Sequence, residues 1–265
     1  MAARQVGAPV ETAGLEGFPL RLAGLAIVMA AALELSGAAI AGPLEDSNAV
    51  DQKRYWRIIS PHIEGDTLII EGKIDSHIYD YLMYEAGRIA AVKMIELNSL
   101  GGNAEWAMTI ARKVKDLGKT TFLRSGHYCA SACAYIFAAG HERTASEDTW
   151  IGIHGASLGA GYLTNFQGLC FVDRENQSEF EPHKTGCQQF LDHWYAVTMA
   201  STNEGFDAME SNGVSPDLRK AYFEMPDDPE WPAQMNVVRK PNWPLSAREA
   251  LKYNLVTKVL PKTDF

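Results

Sequence analysis

Three groups of residues in this sequence have the types that acyl transfer requires. Ser131 sits in the turn Cys129-Ala-Ser-Ala-Cys133, between the β-rich run 120–125 and an Ala-rich apolar segment that ends at Gly140. His154 closes the apolar run Trp150-Ile-Gly-Ile153, and Gly101-Gly102 follows the run Met94-Ile-Glu-Leu97. A serine hydroxyl becomes a nucleophile when a base accepts its proton, and histidine titrates near neutrality without large perturbation. The tetrahedral oxyanion needs two N–H donors, each worth about 3–4 kcal/mol of transition-state stabilisation. A Gly-Gly turn and a helix start both offer backbone amides. Plainer readings stand beside each: Ser131 as a helix N-cap, Gly101-Gly102 as a tight turn, His154 as a hydrogen-bonded structural residue. It is the three together, in this order, that point to chemistry.

The elements that must position them read as alternating strands and helices. Residues 67–74 form a β-branched strand, and Ser76 caps a helix over 77–89 whose stripe is Ile78, Leu82, Ala86 and Ile89. The strand 94–97 leads into a helix from Ala104 to Leu117, opened by Asn103, ended by Gly118, with Trp106, Ile110 and Val114 on one face. Strand 120–125, the Ser131 helix with Gly140 as its C-cap, and strand 150–153 follow. A helix over 188–200, another from Ser215-Pro216 to Phe223, and the Ser-x-x-Glu capping box at Ser246 come after a Gly-rich stretch, and a strand over 255–260 closes the series. This alternation predicts an α/β fold with right-handed crossovers and a largely parallel sheet. In such sheets sites form beyond the carboxyl ends of the strands, which is where Gly102, Ser131 and His154 fall.

With 265 residues the chain holds one substantial core and a small appendage. A net charge of −9, without any Lys/Arg-rich run, excludes a nucleic-acid partner as the expectation. Residues 22–33 are an apolar run of signal-peptide length, interrupted by Glu34 and followed by Ala39-Ile-Ala41. Residues 1–41 are therefore a cleaved signal peptide or a retained membrane anchor, and either exports the rest, to the periplasm or to a membrane facing it. Residues 42–58 read as a linker and 59–260 as the domain, with an insertion at about 156–240. The four cysteines, Cys129, Cys133, Cys170 and Cys187, are an even number in an exported chain, which predicts two disulfides. Three pairings exist; the local ones, Cys129–Cys133 and Cys170–Cys187, are preferred, the first being feasible only if Cys129 lies outside regular helix. His127, Cys129, Cys133 and His141 loosely meet a zinc spacing, but oxidation of the thiols is the favoured reading, so neither metal nor cofactor is expected.

Asn98-Ser-Leu-Gly-Gly102, Ala130-Ser-Ala132, Ile151-Gly-Ile-His154 and Leu245-Ser-Ala-Arg-Glu-Ala-Leu-Lys-Tyr-Asn-Leu-Val256 together resemble the Clp protease proteolytic subunit, in its exported relatives more than its cytosolic form. The resemblance spans about residues 60–260, with Gly102 and Ser131 separated by 29 positions and Ser131 and His154 by 23. It implies a crotonase-like core of repeated ββα units. It also implies Ser131 as nucleophile, His154 as general base, and the Gly102 and Ala132 amides as oxyanion hole. The family's third member, an aspartate, aligns with Asn242; Asp173, Asp192 or Asp207 are the acids that could substitute from the inserted region. Cys133 stands where the family has a glycine, and Cys129 has no counterpart. The expectation is an exported serine peptidase acting on a peptide or protein. Family relatives form rings, so a homo-oligomer is implied, although the insertion falls where their inter-ring handle lies. A hydratase acting on acyl-CoA is the lesser reading of the fold, since that substrate is cytoplasmic. The alternative from another class is a catalytically silent binding or assembly module, consistent with Asn242 and the cysteine pair.

Overall fold

A computed structural model describes residues 56–156, 185–227 and 240–262, together with the backbone of 171–173 and 178–180. The leader, most of the linker, Cys170, the Asp173 side chain and much of the expected insertion lie outside the described residues. Among the described residues no helix is long and apolar enough to cross a membrane.

The elements follow in chain order. Strands β1 (His62–Glu64) and β2 (Thr67–Glu71) form a hairpin that leads to helices α1 (Ser76–Tyr84) and α2 (Ala86–Ile89). Then come β3 (Met94–Asn98), α3 (Ala104–Leu117), β4 (Thr120–Leu123), β5 (Tyr128–Ala130), α4 (Ala132–Ala138), β6 (Arg143–Ser146) and β7 (Trp150–Ile153). A two-stranded ribbon, β8 (Phe171–Asp173) and β9 (Ser178–Phe180), precedes the long helix α5 (Thr185–Ser211). Helix α6 (Pro216–Glu224), β10 (Trp243–Ser246), α7 (Ala247–Lys252) and β11 (Lys258–Leu260) complete the series.

The main sheet has the order β1-β2-β3-β4-β6-β11, parallel throughout except for the β1–β2 hairpin. The expected α/β fold with a largely parallel sheet is therefore the one observed. A second sheet, β10-β7-β5, pairs β5 with β7 in parallel and β7 with β10 antiparallel. The chain leaving β3 joins this second sheet at once. Ser99 donates its N–H to the Tyr128 carbonyl at 2.9 Å and accepts from the Ala130 N–H at 3.0 Å. The segment from Ser99 to Gly102 thus carries the end of one sheet to the edge of the other, alongside the start of α4.

Helix α4 is the centre of the core: all seven of its residues are buried. Its alanines let α3 and α5 approach closely, and Phe137 is fully buried. α3 offers Ala107, Ile110, Ala111 and Val114 to this contact, with Asn103 accepting from the Trp106 N–H at 2.9 Å and Gly118 left-handed at φ 62°. Trp106 is only partly buried and packs on Tyr79, with ring centroids 5.8 Å apart, instead of sharing the buried stripe.

Several sequence expectations change. Asp75, not Ser76, caps α1, accepting from the Ser76 N–H at 2.8 Å. The single helix over 77–89 breaks at Glu85, whose ψ of 18° interrupts it. Gly140 is not a left-handed cap; Ala139 ends α4 in right-handed geometry. Gly140 is small for another reason, because a Cβ there would stand 2.2 Å from Thr121 Oγ1. The helix expected over 188–200 runs on to Ser211, and β5, β6 and β10 are short strands that had no periodicity to announce them.

Candidate active site

Ser131 occupies the turn between β5 and α4 with φ 56° and ψ −126°. Only one other described non-glycine residue, Asn254, has a positive φ. A serine held there costs about 1–3 kcal/mol and persists only when its surroundings over-determine it. Four features do so. The Ser131 N–H donates to the Gly152 carbonyl of β7 at 2.8 Å, and its carbonyl accepts from the Ala134 N–H at 2.9 Å. A disulfide joins Cys129, on β5, to Cys133, in the first turn of α4, with Cα atoms 5.2 Å apart. Gly101 lies directly against the turn: a Cβ there would meet Ser131 Cβ at 2.7 Å.

The disulfide is possible because Cys129 belongs to a strand and not to the helix. Bonded to each other, these two sulfurs are not available as metal ligands. Cys187 is also disulfide-bonded, to a partner outside the described residues.

Ser131 stands at the N-cap position, yet its side chain makes no capping hydrogen bond. The capping role expected of it is not taken up. Ser131 instead lines a narrow pocket with Tyr135, Gly152, Ile153, His154, Phe206 and Met209. A strained strand-to-helix turn that presents a serine in this way is the geometry of a nucleophile elbow.

His154 follows β7 directly. Its Nδ1 lies 2.7 Å from the Gly155 carbonyl oxygen. A carbonyl only accepts, so the proton is on Nδ1 and the Nε2 lone pair is left free. Burial pushes the imidazole pKa below its ordinary value, and the Gly155 hydrogen bond opposes this in part. The ring is accordingly neutral near pH 7. Among the described residues neither Ser131 Oγ nor His154 Nε2 has a hydrogen-bond partner, so the pair shares a pocket without a bond between them.

The glycine pair serves close approach. Gly101 packs on Ser131, and a Cβ on Gly102 would stand 2.2 Å from the Ile74 carbonyl oxygen. The Gly101 carbonyl accepts from the Ile74 N–H and the Ile74 carbonyl from the Asn103 N–H, both at 2.9 Å. The N–H groups of Gly102 and Ala132 have no acceptor among the described residues.

Asn242 stands just before β10, one step beyond the Trp243–Ile153 pair, which sets it beside the β7 end that carries His154. Its amide oxygen would lie 3.4 Å from a Cβ on Gly152. Of the acids considered as substitutes, Asp192 is exposed and accepts from Gln188 at 2.8 Å. Asp207 is exposed and paired with Arg219. Neither hydrogen bonds His154.

Sequence reasoning missed Tyr135, Phe206 and Met209 as pocket walls, and Thr202 and Tyr222 behind His154. The Gly155 N–H donates to the Tyr222 hydroxyl at 2.6 Å and the Ala156 N–H to Thr202 Oγ1 at 2.9 Å. A signal existed in the spacing of Thr198, Thr202, Phe206 and Met209, which is one helical stripe. Gly205 on the same helix admits the Tyr135 ring, since a Cβ would stand 2.5 Å from its Cζ. Burial raises the Tyr135 phenol pKa to about 12, so it is a neutral wall.

No protein-family model matches the chain. No curated protein matches it. Among solved structures it is similar to the ClpP1 N165D mutant from Listeria monocytogenes, at 17% identity and a TM-score of 0.44, covering 75% of this chain and 93% of that one.

Proposed function

We propose that this protein is an exported serine hydrolase, a peptidase, with Ser131 as nucleophile and His154 as general base. The observation that carries the reading is the strained Ser131 turn, which sets a serine with no capping bond in the lining of the pocket that also holds a neutral His154. In the reaction, Ser131 Oγ attacks the substrate carbonyl carbon while His154 Nε2 takes its proton. The oxyanion is received by the Gly102 and Ala132 N–H groups, which have no other acceptor among the described residues. Collapse of the intermediate expels the amine with the proton held on Nε2, and water then repeats the sequence on the acyl-enzyme. The Ser–His hydrogen bond forms in the substrate complex, as free enzymes often hold such pairs loosely. Asn242 holds the third member's place in the order of motifs, beside the β7 end that carries His154, while the Nδ1 proton is held by the Gly155 carbonyl. Export follows from the leader sequence and agrees with the disulfide beside the nucleophile.

A second reading, a catalytically silent binding module, is favoured by one observation: His154 Nδ1 faces a neutral carbonyl in place of a carboxylate. Reaction with a fluorophosphonate separates the two. Covalent labelling of Ser131 in the oxidised, folded protein supports the hydrolase. An unlabelled Ser131 supports the silent module.

A further inference from the structure

We infer that Thr202 is a positioning residue for His154, acting through the Gly155–Ala156 peptide group, with Tyr222 bracing the peptide before it. The inference rests on the hydrolase reading and adds residues to it that no motif contains. One planar peptide group links the two side chains. Its carbonyl accepts the His154 Nδ1 proton at 2.7 Å, and its N–H donates to Thr202 Oγ1 at 2.9 Å. The direction of the second bond is fixed. The Thr202 hydroxyl has a single proton, and it is donated to the Thr198 carbonyl at 2.7 Å, so toward Ala156 the oxygen can only accept. The preceding peptide is held separately, its N–H donating to the Tyr222 hydroxyl at 2.6 Å.

These supports are rigid. Thr202 is 1% exposed on α5 and Tyr222 is fully buried on α6, where its ring packs 5.5 Å from Phe206. A loop after a strand end would ordinarily let its carbonyls turn. Here two helices hold two consecutive N–H groups, and the carbonyl between them has one direction left, toward Nδ1. The arrangement does for the tautomer what an orienting carboxylate does elsewhere, since keeping the proton on Nδ1 keeps Nε2 open as the base. It supplies a dipole in place of a full charge, strengthened because the same peptide group donates at its other end.

Thr202→Val keeps the size of the side chain and removes the acceptor, whereas Thr202→Ser keeps the hydroxyl. In the full oxidised chain, Thr202→Val is expected to slow fluorophosphonate labelling of Ser131 by about 10–100-fold, and Thr202→Ser to restore most of it. Nitrogen-15 NMR of His154 gives a second readout that needs no activity. The wild type is expected to show a protonated Nδ1 and a bare Nε2 above pH 7, and Thr202→Val a mixture of tautomers. Should Thr202→Val fail to fold, Tyr222→Phe removes the neighbouring brace and is read in the same two ways. Labelling and tautomer unchanged in Thr202→Val, or Thr202→Ser as slow as Thr202→Val, overturns the inference. A wild type that shows the Nδ1 tautomer but takes no label overturns the hydrolase reading instead, so the two failures are distinguishable.

Discussion

The two ends of helix α4 treat their polar groups in opposite ways. Beyond its C-terminus stands Arg143, 4% exposed, whose guanidinium reaches four carbonyls. Nη1 donates to Gly140 at 3.2 Å and Asn212 at 3.0 Å, Nη2 to Asn254 at 2.8 Å and Nε to Leu255 at 3.1 Å. Those carbonyls follow the C-termini of α4, α5 and α7, so one buried cation satisfies the ends of three helices. At the N-terminus of α4 the reverse holds. Among the described residues Ser131 caps nothing and the Ala132 N–H has no acceptor, and the backbone is held in an unfavourable conformation. Among the described residues, polar groups left unbonded at one end of the helix contrast with those bonded by Arg143 at the other, and in the proposed function the substrate's oxyanion completes the set.

The widest separation between the ends comes from removing the cation. Arg143→Leu leaves several carbonyls buried and unpaired, and urea unfolding is expected to show a loss of about 4 kcal/mol. A loss below about 1 kcal/mol would mean that water replaces the guanidinium and that the C-terminal end is not a closed structure.

Reduction of the Cys129–Cys133 bridge acts at the opposite end. A loop this short contributes about 2 kcal/mol, so the domain is expected to stay folded in mild reductant while labelling of Ser131 falls. Circular dichroism and labelling followed together check this, and loss of both at the same reductant concentration would remove the distinction.

The smallest effect is in pH. His154 must be neutral to act as base, and burial lowers its pKa below the ordinary histidine value of about 6.5. The neutral form is thus retained to lower pH than in an exposed histidine. The rate constant for labelling is expected to be flat at neutral pH and to fall with a midpoint below 6.5. A midpoint at or above that value would show that the pocket does not keep the ring desolvated.

Much of this was legible in the residues. Helix α3, with Asn103 and Gly118 at its ends, and α7, with the Ser246–Glu249 capping box, follow local rules that tertiary context did not override. The carboxyl-end logic of parallel sheets brings Ser131, His154 and the glycine pair to strand ends, although β7 and the β5 that precedes Ser131 belong to the second sheet and not to the one that holds β3 and β4. What escaped was non-local. β5 is three residues long and exists because the segment after β3 and strand β7 flank it, which no window of sequence displays. Thr202 and Tyr222 are 48 and 68 positions beyond His154 and carry no motif. Their role depends on hydrogen bonds to backbone, which place no demand on neighbouring side chains. Gly140 shows the same limit, since its small size answers to Thr121 across the core and not to the helix it follows.

The central claim is that Ser131 is a nucleophile activated by His154. Its direct test is mass-spectrometric identification of the residue modified when the oxidised protein is treated with a fluorophosphonate, alongside His154→Gln. The account predicts a single adduct on Ser131, formed about 10²–10⁴-fold more slowly in His154→Gln. No adduct on Ser131, or an adduct whose rate is indifferent to His154, would contradict it.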